Sequence, residues 1–261
     1  MTTMDQKTFD RIQIPLLSLA DMCRELAELT GSRIIDHENK YITYANASVF
    51  YGKNFILDAN EKKMEGIVKE IRDHLSQGMP GGISFTEEAL SCGLDCAERI
   101  LKENGFVKFI SQTGMILDLE HGFPKADPAK AADIRLIGPD RLADWCAVNS
   151  RSFPKPPDDE AYQALIRSKN LITYGYMHGN DITSTGMLLI DPELAGIHEI
   201  STLPEFRRKG QIKTILSLML EELASRGISS VSLQASPAGQ LVYETFGFEV
   251  VSTIPTWVPA G

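Results

Sequence analysis

The sequence predicts an α/β (α+β) fold, a mixed and largely antiparallel sheet flanked by helices, laid out twice along the chain. Three observations lead there. Three extended runs, NLITYGYMH, ITSTGMLLID and AGIHEISTL, follow one another with turn chemistry such as Gly179-Asn180-Asp181 between them, as in an antiparallel meander. From Gly210 on, GQIKTILSLMLEELASRG, ISSVSLQ, PAGQLVYETFG and FEVVSTI alternate helix with strand, the order that brings parallel strands together through right-handed crossovers. Between the halves, Asp118 to Asp133 is rich in Pro, Ala, Lys and Asp without apolar periodicity. It reads as a linker, giving domains of residues 1–125 and 126–261.

Taken in order, SLADMCRELAELTG reads as a helix stopped by Gly31, followed by extended RIIDH, KYITYA and NFILD and the helix EKKMEGIVKEIRDHL. GGISFTEE is a strand, ALSCGLDCAERILKEN a helix ending at Gly105, and FVKFIS with MILDL a closing hairpin. The second half opens on strand DIRLIG and helix DRLADWCAVNSRSF, and Pro154, Pro156 and Pro157 break the chain before helix DDEAYQALIRS. ISFTEE, helix, ILKENGF and VKFIS have the layout of VSLQ, helix, VYETFGF and EVVST, with Gly105-Phe106 matching Gly247-Phe248. An internal duplication leaves such an echo. Two helices that merely share a common glycine cap would also end on Gly-Phe.

Composition narrows the function classes. With 43% hydrophobic and 23% charged residues and no long polar tract, the chain has a globular makeup. Asp plus Glu outnumber Lys plus Arg by 35 to 26, and a net charge of -9 repels a phosphate backbone, so nucleic acid is not an expected partner. No run approaches the ~20 apolar residues of a membrane span, and MTTMDQKTFDRIQ lacks a basic segment leading into an apolar core. The expected location is the cytoplasm, without a membrane partner. Cys23, Cys92, Cys96 and Cys146 are too scattered for a disulfide framework and form no CxxC pair, so no metal is expected.

The functional signal lies in TLPEFRRKGQIKTIL, which ends a strand, turns, and enters a helix with an apolar stripe at Ile212, Ile215, Leu216, Met219 and Leu223. Packing that stripe on the sheet leaves the helix N-terminus pointing outward with unpaired N–H groups, and Gly210 lets a ligand approach the backbone. No Ser, Thr, Asp or Asn caps this start, while Arg207, Arg208, Lys209 and Lys213 crowd it. Cations there oppose the helix dipole, and a bound anion relieves them. An exposed basic turn is the plainer reading.

RRKGQI resembles the Q/R-x-x-G-x-G/A signature of GNAT acyltransferases, and the neighbours extend the likeness: PEFR resembles the family's P-E-[YF]-R stretch, and VYETFGFEVV its LYEKLGF region. The resemblance covers most of Asp133 to Gly261. It implies a GNAT-type sheet, two tandem GNAT-like domains with the first degenerate, and acetyl-CoA or another short acyl-CoA as co-substrate. The turn Arg207, Arg208, Lys209, Gly210, Gln211, Ile212 and Lys213 would then hold the pyrophosphate, and the backbone of Ile200, Thr202 and Leu203 the pantetheine arm. Two positions depart from the pattern. Ile212 stands where the family usually has Gly or Ala, and Ser236 where it often has an Asn.

An amine attacking a thioester must lose a proton, the oxyanion needs a donor, and the leaving thiolate gains from a proton. The resemblance assigns the last role to Tyr243. Glu199, just before the pantetheine stretch, is the candidate base, with His198 as its alternative on the opposite face of the strand. No nucleophile elbow or activated cysteine is present, so direct transfer in a ternary complex is expected. The acceptor is an amine on a small molecule or peptide, with Phe153, Tyr162 and Trp257 as pocket candidates, and a homodimer is compatible with this reading. In the first half Leu101 takes the place of Tyr243, and ILDAN lacks the glycine turn, so that half is not expected to bind coenzyme A. The rival reading is a non-catalytic acyl-CoA sensor or interaction module.

Overall fold

The computed structural model describes residues 6–38, 41–45, 52–152, 159–190 and 195–260. In chain order its elements are α1 (Gln6–Thr30), β1 (Ile34–Asp36), β2 (Ile42–Tyr44), β3 (Lys53–Ile56), α2 (Glu61–Leu75), β4 (Gly82–Phe85), α3 (Leu94–Glu103) and β5 (Phe106–Asp118). There follow α4 (Pro128–Ala131), β6 (Ile134–Leu136), α5 (Leu142–Ser152), α6 (Asp159–Leu165), β7 (Leu171–His178), β8 (Asp181–Leu189) and β9 (Ala195–Thr202). The chain ends with α7 (Gln211–Ser225), β10 (Ser230–Ala235), α8 (Pro237–Glu244) and β11 (Glu249–Pro259). They form two compact units, each discontinuous in sequence. The first holds Met1–Met115, Gln234–Gln240 and Val250–Gly261, and the second Ile116–Leu233 and Leu241–Glu249.

In the first unit the strand order is β1-β2-β3-β4-β11-β5. β1, β2 and β3 run antiparallel, and α2 carries the chain over to β4, parallel to β3. Helix α2 starts where the Asn60 side chain accepts from the Lys63 N–H at 2.9 Å, and it buries Met64, Ile67, Val68 and Ile71, one face of a 3.6-residue period. Ile100 and Leu101 of α3 close the same core with Phe85 and Phe106. Three expectations change here. Helix α1 begins at Gln6 rather than at Ser18, with Pro15 inside it; the Pro15 carbonyl accepts from Gln234 Nε2 at 2.6 Å. FVKFIS and MILDL belong to one continuous strand, β5, and not to a hairpin. A side chain at Gly114 would collide with Ser252 Oγ and come within 3.0 Å of Pro15 Cβ, so the glycine marks a close approach and not a turn. Trp257 lies fully buried in this core, on β11 opposite Ile83 of β4, which removes it from the acceptor-pocket candidates.

In the second unit the order is β10-β9-β8-β7-β6, and β7, β8 and β9 are the antiparallel meander the sequence predicts. Helix α7 crosses from β9 to β10, which run parallel, and buries Ile215, Leu216, Met219 and Leu223 completely. The segment expected to be a linker packs here instead. Asp127 caps α4 by accepting from the Ala129 N–H at 3.0 Å, and Ser217 of α7 donates to the Pro124 carbonyl at 2.8 Å. Each half of the chain thus passes from antiparallel strands to a parallel pair bridged by a helix (β3-α2-β4, β9-α7-β10), then to a further helix and a long strand.

Candidate functional site

The site begins with a fault in β9. Opposite β8, Met187 faces His198, but two residues on, Thr185 faces Ser201, so β9 carries one extra residue. Glu199 absorbs it with φ 53, a left-handed conformation rare for a residue with a Cβ. On its other side β9 pairs with β10 only from Ala195 to Ile197, while β9 runs on to Thr202. The two strands therefore part just before the bulge. In the first unit β3 and β4 are paired over all four residues of each, and no such parting occurs.

Polar side chains fill the unit beneath the bulge. Glu199 Oε2 accepts from the Tyr162 hydroxyl at 2.8 Å, and Tyr162, buried, meets Trp145 edge-on at 5.0 Å. Thr185 and Ser201 hydroxyls lie 2.7 Å apart and both reach Asn149 Oδ1, at 3.0 and 2.8 Å. His198 is buried, and desolvation pushes its imidazole down to about 4, so it is neutral near pH 7. The bulge cancels the strict alternation expected for this pair, and of the two only Glu199 is partly open to solvent. Among the pantetheine candidates, Leu203 has both backbone groups engaged: its N–H donates to Thr183 at 3.0 Å and its carbonyl accepts from the Phe206 N–H at 2.9 Å.

Beyond β9 a short 3-10 turn over Pro204–Phe206 leads to Arg208 at φ 63 and Gly210 at φ 82. Gly210 is the N-cap of α7, with no side-chain hydrogen bond to close it. Its carbonyl accepts from the Thr214 N–H at 3.2 Å, which leaves the N–H groups of Gln211, Ile212 and Lys213 without helical partners. Arg207, Arg208, Lys209 and Lys213 are exposed around them. The sequence reading missed a fifth cation: Lys130 Nζ of α4 stands 3.9 Å from where a Cβ on Gly210 would sit. The Gln211 side chain points inward and its Oε1 accepts from Thr183 and Ser184, so this residue offers a ligand its backbone and not its amide oxygen.

The family model "Acetyltransferase (GNAT) domain" matches residues 133–251. This stretch of the chain belongs to the GNAT family. The fold of the whole chain agrees. A GCN5-related N-acetyltransferase from Kribbella flavida has a TM-score of 0.68 at 12% identity, covering 94% of this chain and 96% of its own. A functionally unknown conserved protein from Staphylococcus epidermidis has a TM-score of 0.65 at 13% identity over 88% and 94% of the two chains. A GCN5-related N-acetyltransferase from Sphaerobacter thermophilus has a TM-score of 0.56 at 11% identity over 87% and 75%. At these identities the likeness is one of fold, and it extends to the N-terminal half. No curated protein matches the chain.

Within the GNAT domain Tyr243 sits on α8, buried and edge-on to Phe248 at 5.8 Å. Burial raises its phenol well above the ordinary tyrosine value, so the proton stays on. Leu101, its counterpart by sequence, is fully buried in the core of the first unit. Ser236, which belongs to the first unit, accepts from the Gly239 N–H at 3.3 Å and serves as a cap for α8. Phe153 lies outside the described residues. A groove of about 690 Å³ beside Ile134, Leu171 and the C-terminal turns of α7 is lined by none of the candidate residues.

Proposed function

We propose that the GNAT domain of this protein transfers an acetyl or short acyl group from acyl-CoA directly to a primary amine in a ternary complex. The observation that carries the reading is the pairing, within one unit, of an uncapped helix start with two strands that part beside it. The amides of Gln211, Ile212 and Lys213 suit a pyrophosphate, and five cations neutralise it. The acyl-CoA supplies an activated thioester carbonyl. Ile200 and Thr202, on the parted stretch of β9, present backbone to its pantetheine arm, whereas the Leu203 backbone is already engaged by Thr183 and Phe206.

In this reading Glu199 accepts the proton of the amine, with Tyr162 fixing the carboxylate, and Tyr243 donates a proton to the departing thiolate. The first unit lacks the glycine turn, since Asn60 closes the start of α2, and in this reading it is the second unit that binds the thioester. The engagement of Glu199 by Tyr162 also fits a protein that binds acyl-CoA without turnover, as a sensor. Release of free thiol from acetyl-CoA across a panel of small-molecule and peptide amines tests the choice. Thiol release that requires an amine supports the transferase. Calorimetric binding of acetyl-CoA with no release by any amine supports the sensor, and no binding removes both.

A further inference from the structure

Three consecutive hydroxyl residues, Thr183, Ser184 and Thr185, are fully buried in β8 between Ile182 and the apolar run that starts at Gly186. A buried hydroxyl costs free energy unless it is hydrogen-bonded, and valine or alanine would fill such places without that cost. Strand alternation should send the middle hydroxyl away from its neighbours. It does not, because β8 carries an extra residue against β7: Met177 faces Ile182 but Tyr176 faces Ser184. Thr183 is that extra residue, and it and Ser184 both reach Gln211 Oε1, at 3.1 and 2.6 Å. Thr185 turns to the other feature of the site. Its hydroxyl lies 3.1 Å from the Glu199 carbonyl, within the cluster it makes with Asn149 and Ser201.

We propose that this run of hydroxyls is the positioning device of the site, with a separate duty at each end. Thr183 and Ser184 anchor Gln211, the first residue of α7, and so aim the unpaired amides of the turn. Thr185, with Asn149 and Ser201, holds the left-handed bend at Glu199 and so aims the candidate base. None of the three need touch a substrate; they act through Gln211 and Glu199. The functional part of this inference rests on the reading of the turn and bulge as an acyl-CoA site, while the structural part stands on the hydrogen bonds alone.

The test is amide hydrogen exchange on the full-length protein, read over residues 198–201 and 211–214, together with calorimetric titration of acetyl-CoA. The variants are Thr183→Val with Ser184→Ala, and separately Thr185→Val. The first pair is expected to speed exchange over 211–214 and to weaken acetyl-CoA about tenfold, the effect of losing a buried hydrogen bond, with 198–201 unchanged, Thr202 being set apart because its hydroxyl lies 2.9 Å from that of Ser184. Thr185→Val is expected to speed exchange over 198–201 and to leave acetyl-CoA affinity within about twofold. Thr183→Ser and Thr185→Ser, which keep the hydroxyls, should behave as wild type. If Thr185→Val does not fold, Thr185→Ala takes its place. Equal acceleration of both segments in every variant, or none in any, overturns the proposal. Exchange that divides as stated in a protein that gives no heat with acetyl-CoA would retain the positioning roles and remove the proposed function.

Discussion

Gly210 and Gly227 terminate the same helix, and replacing each by alanine separates stability from ligand binding. Both sit in the left-handed region, at φ 82 and φ 75, where a residue with a Cβ costs roughly 1–2 kcal/mol. No protein atom blocks either substitution: an added Cβ meets only Lys130 Nζ, at 3.9 Å, at Gly210 and nothing within 4 Å at Gly227. Strain is therefore the whole cost. Gly227→Ala strains the C-terminal end, where the Ile228 N–H bonds back to Leu223 at 3.1 Å, and denaturant melts should show a loss of about 1–2 kcal/mol with acetyl-CoA affinity unchanged. Gly210→Ala faces the same strain in the turn that presents the amides of Gln211, Ile212 and Lys213. A turn that relieves the strain by rotating moves those amides, so affinity should fall by about fivefold to thirtyfold, the equivalent of 1–2 kcal/mol. Calorimetry with acetyl-CoA and urea melts on both variants supply the two numbers. Equal destabilisation with wild-type affinity in both would refute the idea that these amides hold the thioester.

Tyr243→Phe keeps the edge contact with Phe248 and should lower the rate of thiol release about 10²-fold with acetyl-CoA affinity unchanged, as steady-state kinetics and calorimetry would show. His198 titrates near 4 when folded and near 6.5 when unfolded, so between those values the unfolded chain binds more protons and stability falls as pH falls. Comparing urea melts of wild type and His198→Leu at pH 7 and 4.5 should reveal about 2–3 kcal/mol of extra acid sensitivity in wild type. Asn60→Ala removes the cap of α2 and should cost about 1 kcal/mol without altering acetyl-CoA binding. Burial pushes the Cys23 thiol up to about 12, so iodoacetamide at pH 8 should leave Cys23 unlabelled in the folded protein and label it in denaturant, as counted by mass.

Much of the fold was legible because its rules are local. The meander of β7, β8 and β9 follows from alternation and turn residues, α2 and α7 from their 3.6-residue apolar stripes, and the open start of α7 from the want of a capping side chain before Gln211. Errors arose where one residue type serves two purposes. FVKFIS and MILDL suggested a hairpin but form one strand, in which Gly114 answers to the nearness of Ser252 and Pro15, and the helix expected from Ser18 begins at Gln6 with Pro15 inside it. The site was legible only in part. Nothing in AGIHEISTL announces an extra residue at Glu199, and Lys130, Asn149 and Tyr162 lie too far along the chain from the turn and bulge for any spacing to join them. The run Thr183-Ser184-Thr185 in an apolar strand was the one available sign of the interior network.

By itself, then, the order of residues determined the strands, the amphipathic helices and the cationic glycine turn, since these depend on torsional preference and periodicity over a few neighbouring positions. Only the tertiary structure decided which strand carries the bulge, that Trp257 completes the core of the first unit, and that Tyr162 meets Glu199. Those outcomes depend on register and on contacts between distant segments, and a shift of a single residue in register moves every later side chain to the opposite face.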